Sequence, residues 1–151
     1  MGKKRLTLTH DYPAPPRAVW QLAIDFDAFA KAMEGVAKFR NMPTGMLREG
    51  MVIDAEVSLL GKLPWQPHHM EIETCDDEMM AFQSRERGPG IKSWDHHLQV
   101  TATDTGSRLT DTVEIEAERS WLTPIYALWA RFVYTRRHAP RLAMLDQLQE
   151  T

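Results

Sequence analysis

The sequence predicts an α+β domain, with an antiparallel sheet of six or seven strands, two short helices after the first strand and a long C-terminal helix. Three observations carry this. From Gly35 onward about eighty residues alternate apolar and polar side chains, the period of a half-buried strand. Short turn segments separate the runs, among them Gly61-Lys62-Leu63-Pro64, Gly88-Pro89-Gly90 and Asp104-Thr105-Gly106; short links between consecutive strands make an antiparallel meander. After the last alternation, apolar residues recur at helical spacing.

Taken in order, residues 6–11 alternate as a first strand. Pro13-Ala14-Pro15-Pro16 stops it and presets a helix start. Val19, Trp20, Leu22, Ala23, Ile24 and Phe26 carry a helical pattern that Asp25-Phe26-Asp27 interrupts, and Ala28 to Met33 form a second short helix. Val36 to Arg40 is a strand closed by Met42-Pro43-Thr44-Gly45. Met51 to Leu60 sets Ile53, Ala55, Val57 and Leu59 against Asp54, Glu56 and Ser58. A strand from Gln66 to Thr74 keeps Met70 and Ile72 on one face, and Cys75-Asp76-Asp77-Glu78 turns the chain. Met80, Phe82 and Ser84 continue the inward face to Glu86; Trp94, His96, Leu98 and Val100 form the next strand. The last strand alternates Leu109, Asp111, Val113, Ile115 and Ala117 inward.

Thr123-Pro124 is an N-cap and N1 pair that opens the long helix. Ile125, Leu128, Trp129, Phe132, Leu142, Leu145 and Leu148 form its expected buried stripe, with Pro140 as a kink. This is the only element large enough to cover the sheet.

The 151 residues, 43% hydrophobic and 26% charged, suffice for one compact domain spanning 1–151 without disulfides or a structural metal. A mean hydropathy of -0.42 is ordinary for a globular chain and excludes a largely disordered one. The net charge of -3 gives no basic field for nucleic acid, and no apolar run approaches the ~18 residues of a membrane span. Cys75 is the single cysteine, so no intramolecular disulfide forms. The basic start Met1 to Arg5 runs into Leu6-Thr7-Leu8-Thr9 with no signal-peptide core, and Leu6 stands where myristoylation needs Ser or Thr. The expectation is a cytoplasmic protein.

The order of elements, with Tyr12-Pro13-Ala14-Pro15-Pro16-Arg17-Ala18-Val19-Trp20 and Asp25-Phe26 near the start and Tyr134-Thr135-Arg136-Arg137-His138-Ala139-Pro140-Arg141-Leu142 near the end, resembles the START-like (SRPBCC) superfamily over essentially the whole chain. These helix-grip proteins include pollen-allergen-like carriers, lipid-transfer domains, polyketide cyclase/aromatases and coenzyme Q-binding proteins. The resemblance implies a curved sheet wrapped around the C-terminal helix, with a cavity between them open to small hydrophobic ligands. It carries no universal catalytic motif and no reaction.

Strand parity sorts the polar residues. Met70 and Ile72 put His68 inside and His69, Glu71 and Glu73 outside; Trp94, Leu98 and Val100 put His96 inside and His97 outside. Ser84, Glu86 and Asp111 also face inward. The hairpin turns set His68 across from Ser84 or Glu86, and these across from Trp94 or His96. One reading takes this row as the wall of a wet cavity that orients a ligand. A second takes His96, Glu86, His68 and Asp111 as candidate acid–base groups for cyclisation or dehydration of a polyketone. A third makes His68, His96 and Glu86 a metal site; no metal-ligand spacing supports it, and no cofactor is expected.

The expected ligand-binding set is His68, Met70, Phe82, Ser84, Glu86, Trp94, His96, Asp111, Val113 and Trp129. Trp20, Trp129 and Phe132 read as core, while Trp65 and Trp94 sit near strand ends where a pocket mouth would open. Arg131, Arg136, Arg137, His138 and Arg141 make the last helix locally basic. That is either a solvated face or, at Arg136, Arg137 and Arg141, a surface for a carrier protein, an anionic head group or another partner. Cys75, beside Asp76 and Asp77, is no candidate thiolate. The functional expectation is a carrier or sensor for a small lipid-, polyketide- or isoprenoid-like molecule, without stable membrane insertion. The alternatives are a cyclase/aromatase-like enzyme and an interaction module with a filled core. The chain is expected as a monomer or as an edge-paired homodimer.

Overall fold

A computed structural model describes residues 2–149. The elements are β1 (Lys3–Tyr12), α1 (Pro16–Ala23), α2 (Phe26–Ala32), β2 (Ala37–Arg40), β3 (Val52–Leu59), β4 (Gln66–Asp76), β5 (Ala81–Gly88), β6 (Ile91–Thr103) and β7 (Gly106–Ala117). A 3-10 turn, Ser120–Leu122, then leads into α3 (Thr123–Arg136) and α4 (His138–Gln149). The strands form one antiparallel sheet in the order β1-β7-β6-β5-β4-β3-β2. Only β1 leaves the meander, crossing to pair with β7 so that Leu6 faces Val113 and Leu8 faces Asp111.

Local chemistry accounts for the first helices. Pro15 caps α1 and Pro16 opens it, where a missing N–H costs nothing. Asp25 caps α2, its carboxylate accepting from the N–H groups of Asp27 and Ala28, so α2 begins at Phe26, earlier than the expected Ala28. The sheet carries register shifts at Ile72/Thr74, Glu86/Gly88 and Ile91/Ser93, and such bulges bend strands into a curved sheet.

The C-terminal helix departs from expectation in two ways. It is two helices, broken at Arg137. Proline excludes the carbonyl four residues before it, so Pro140 breaks the ladder at Arg136 instead of bending the helix at its own position. The expected buried stripe is also reversed. Ile125, Leu128, Phe132 and Leu148 are 54%, 69%, 47% and 60% exposed, and of that stripe only Leu145 is fully buried. Instead α3 lays Ala127, Ala130, Val133 and Tyr134 inward, and the two alanines let the helix lie close over β1 and β7. Thr123 is the first residue of α3 and not its cap; its hydroxyl accepts from the buried N–H of Ala117.

Buried apolar residues fall into three clusters. The largest joins α1, the middle of the sheet and Leu145 around Trp20, Phe82, Leu98 and Leu109. A second packs Ala127, Ala130 and Tyr134 against Leu6, Leu8, Val113 and Ile115. A third gathers Met33, Val36, Ala37 and Val133. The candidate site lies where these clusters fail to meet.

Candidate functional site

Between the sheet and α3 is a cavity of about 230 Å3, adjoining an inner compartment of about 60 Å3. Phe29, Met42, Met70, Glu86, Tyr134 and Arg137 border both and form the waist. The outer compartment is apolar and aromatic, walled by Met33, Phe39, Val57, Leu59, Trp94 and Trp129. The inner one adds Ser84 and His96 from the sheet and Arg141 from α4.

Two imidazole–carboxylate couples occupy the inner face of the sheet. His68 Nε2 lies 2.8 Å from Glu86 Oε1, and Ser84 Oγ donates to Glu86 Oε2 at 3.0 Å. Burial works against both charges, yet the hydrogen bond and mutual attraction prevail: Glu86 is held below, and His68 above, its ordinary pKa. His96 and Arg137 add to the depression at Glu86. The contact thus favours the protonated imidazole of His68 and the ionised carboxylate of Glu86. On the next strands, His96 Nε2 lies 2.7 Å from Asp111 Oδ1, with the side chains 5% and 1% exposed. Burial opposes the Asp111 charge, but His96, with Arg141 and Arg137, holds that carboxyl low.

Tyr134 ties these groups to the helix. Its hydroxyl accepts from Trp94 Nε1 at 3.1 Å, and its ring lies 4.8 Å from that of His96. Burial keeps the phenol protonated. The Arg137 guanidinium stands 4.5 Å from the Tyr134 ring and 4.9 Å from the Phe29 ring, and its Nε donates to Met33 Sδ. Burial lowers its pKa, and Arg141 adds to that. Around the corner, the rings of His10 and His138 stack at 5.0 Å and Tyr12 lies against His138. Both histidines are pulled below their ordinary pKa, His10 by burial first and His138 by burial and then by His10.

The residues expected at the site are placed as follows. His68, Met70, Phe82, Ser84, Glu86, Trp94, His96 and Trp129 border one or both compartments. Asp111 and Val113 do not: Asp111 lies behind His96, and Val113 is packed beneath α3. The register of His68 is also corrected. Met70, not His68, stands across from Glu86, and His68 reaches Glu86 diagonally. Ser84 does face His96, and Glu86 faces Trp94. The His68, His96 and Glu86 metal set is not assembled, because each imidazole Nε2 is engaged by a different carboxylate. No group of three or more potential ligands occurs among the described residues.

The basic surface is corrected too. Arg136 is exposed, but Arg141 is 6% exposed and Arg137 borders the cavity, so the three make no common outer patch. Trp65, 37% exposed, lies under Arg40 and does not border the cavity. Sequence reasoning missed Arg137, Phe29 and Phe39 as cavity groups. The proline rule applied to Pro140 marks the break that aims Arg137 inward; the two phenylalanines carry no such signal.

Residues 11–144 match the model of a family described as Domain of unknown function (DUF8410). No curated protein matches the chain. Among solved structures, protein CV1439 from Chromobacterium violaceum superposes with a TM-score of 0.75 at 14% identity, over 94% of this chain and 96% of its own. The Zhui aromatase/cyclase from a Streptomyces species gives a TM-score of 0.74 at 12% identity, over 96% of this chain and 94% of that one. Ara h 8.0201 gives a TM-score of 0.68 at 12% identity, over 94% and 99%. The fold is the SRPBCC/START-like helix-grip fold.

Proposed function

The chain belongs to the family described as Domain of unknown function (DUF8410), and from the cavity of this member we propose that it binds a small, largely hydrophobic molecule between sheet and α3, as a carrier or sensor. The observation that carries this reading is the outer compartment of about 230 Å3, walled by aromatic and aliphatic side chains and ending at a polar waist. Apolar walls with a few convergent polar groups are the usual anatomy of a small-molecule site. That volume lies below the ~300–1,000 Å3 typical of drug-sized ligands, which favours a ligand of one or two rings over a long lipid or a folded polyketide chain. A gap of this size also weighs against an interaction module with a filled core.

The test is a titration with small neutral aromatic alcohols, followed through the indole N–H resonances of Trp94 and Trp129. Those resonances are expected to move, and Val57→Trp, which projects an indole into the same space, to abolish the effect. No movement with any compound, or binding that survives Val57→Trp unchanged, contradicts the reading.

A second reading is enzymatic, and one observation favours it: the hydrogen-bonded His68–Glu86 pair borders the same cavity. In its protonated form, which Glu86 favours, the His68 imidazole acts as a proton donor to a ligand oxygen, held by Glu86, which Ser84 in turn orients. One structural neighbour is named an aromatase/cyclase. His68→Asn separates the two readings. Loss of turnover of a model polyketone with binding retained supports the enzyme; no turnover in the wild type leaves the carrier.

A further inference from the structure

Arg137 is a cation the fold leaves unmatched. Among the described residues no carboxylate lies within 4.0 Å of it, and its one protein hydrogen bond goes from Nε to the thioether of Met33, a weak acceptor. Its Cζ stands 4.9 Å from the Phe29 ring and 4.5 Å from the Tyr134 ring, contacts that use no N–H, and among the described residues its Nη groups form no hydrogen bond to the protein. The nearby carboxylates have other partners: Glu86 holds His68 and Ser84, and Asp111 holds His96. Neither carboxylate forms a hydrogen bond with the Arg137 guanidinium. A cation half withdrawn from water without a hydrogen-bonded counter-ion carries a desolvation cost, and an anionic group on a ligand offsets it.

We propose that the ligand carries a carboxylate, seated on the two Nη groups of Arg137 at the waist, with a one- or two-ring apolar body in the outer compartment between Phe39, Val57 and Trp129. This rests on the ligand-binding reading above and deepens it. Guanidinium and carboxylate match as a planar fork with two parallel hydrogen bonds, a geometry that an alcohol or ketone cannot reproduce. Because Arg137 borders both compartments, the acid end sits at the inner limit of the apolar space and fixes the direction in which the ligand enters.

The experiment is calorimetric titration of the wild type and of Arg137→Gln with 2-naphthoate and with the neutral 2-naphthalenemethanol at pH 7.5. The wild type is expected to bind the acid at least about tenfold more tightly than the alcohol. Arg137→Gln is expected to reduce this preference to within about twofold while keeping the alcohol affinity. The side-chain N–H resonances of Arg137 in the wild type provide a readout independent of the variant's stability, and should move with the acid and not with the alcohol. Equal affinity for acid and alcohol in the wild type, or silent Arg137 resonances at saturation with acid, overturns the carboxylate site and leaves the cavity reading standing. Binding of neither compound overturns both.

Discussion

At the level of single residues, the inner wall depends on buried charges being paired within the sheet. Asp111 is 1% exposed and its partner His96 is similarly enclosed. Removing Asp111 leaves the buried His96 imidazole without its hydrogen-bond partner, at about 1–3 kcal/mol. Asp111→Ala is therefore expected to cost that much in urea denaturation; a loss below about 0.5 kcal/mol contradicts the pairing. Histidines also set the pH dependence. His10 and His138 have depressed pKa values in the folded state, so they disfavour it as pH falls through their unfolded value near 6.5. His68 is raised, so its contribution is complete below pH ~6.5 and is lost as pH rises through its folded value. Glu86 and Asp111 are depressed, so theirs is present above the unfolded carboxylate range and is lost as pH falls through their folded values. Stability should peak near pH ~6.5, with His68→Asn flattening the alkaline limb and His138→Asn the acid one. Matching profiles for wild type and His138→Asn would contradict the acid-limb assignment. Parity made the inward-facing polar residues legible, because Met70, Leu98 and Val113 anchor each strand's phase. The register of His68 was not legible, because the bulge next to Glu73 has no glycine or proline to mark it.

Elements were more legible in number than in orientation. Turns and proline caps announce every strand and both early helices. The rotation of α3 is different, because its apolar residues lie on several sides and period alone gives no preference between Ile125-Leu128-Phe132 and Ala127-Ala130-Tyr134. Packing decides: alanines bring the helix axis close to β1 and β7, which the bulkier stripe would hold away. Leu128→Ser is accordingly expected to shift stability by no more than about 0.5 kcal/mol. Ala130→Leu, at a site with 0% exposure, should cost about 1–3 kcal/mol by overpacking. Comparable losses at the two positions, measured by thermal melts, would contradict the observed rotation.

For the whole molecule, the sequence order of one strand, two helices, six strands and a terminal helix is enough to identify the fold. Whether the sheet–helix gap is hollow was beyond reach of the sequence, since that depends on where three separately packed clusters stop short of one another. Met33, Phe39, Val57 and Trp129 would look the same in a filled core. The hollow has an energetic consequence: Val57→Trp fills existing space and should leave stability within about 1 kcal/mol of the wild type. The same change at Val113, with 0% exposure, should prevent folding. The most direct measurement is a crystal structure under xenon pressure, because xenon enters apolar cavities that already exist. The expected result is a xenon peak between Phe39, Val57 and Trp129, absent from Val57→Trp. Side chains closed across that space, with no xenon between sheet and α3, would contradict the binding cavity and the function built on it.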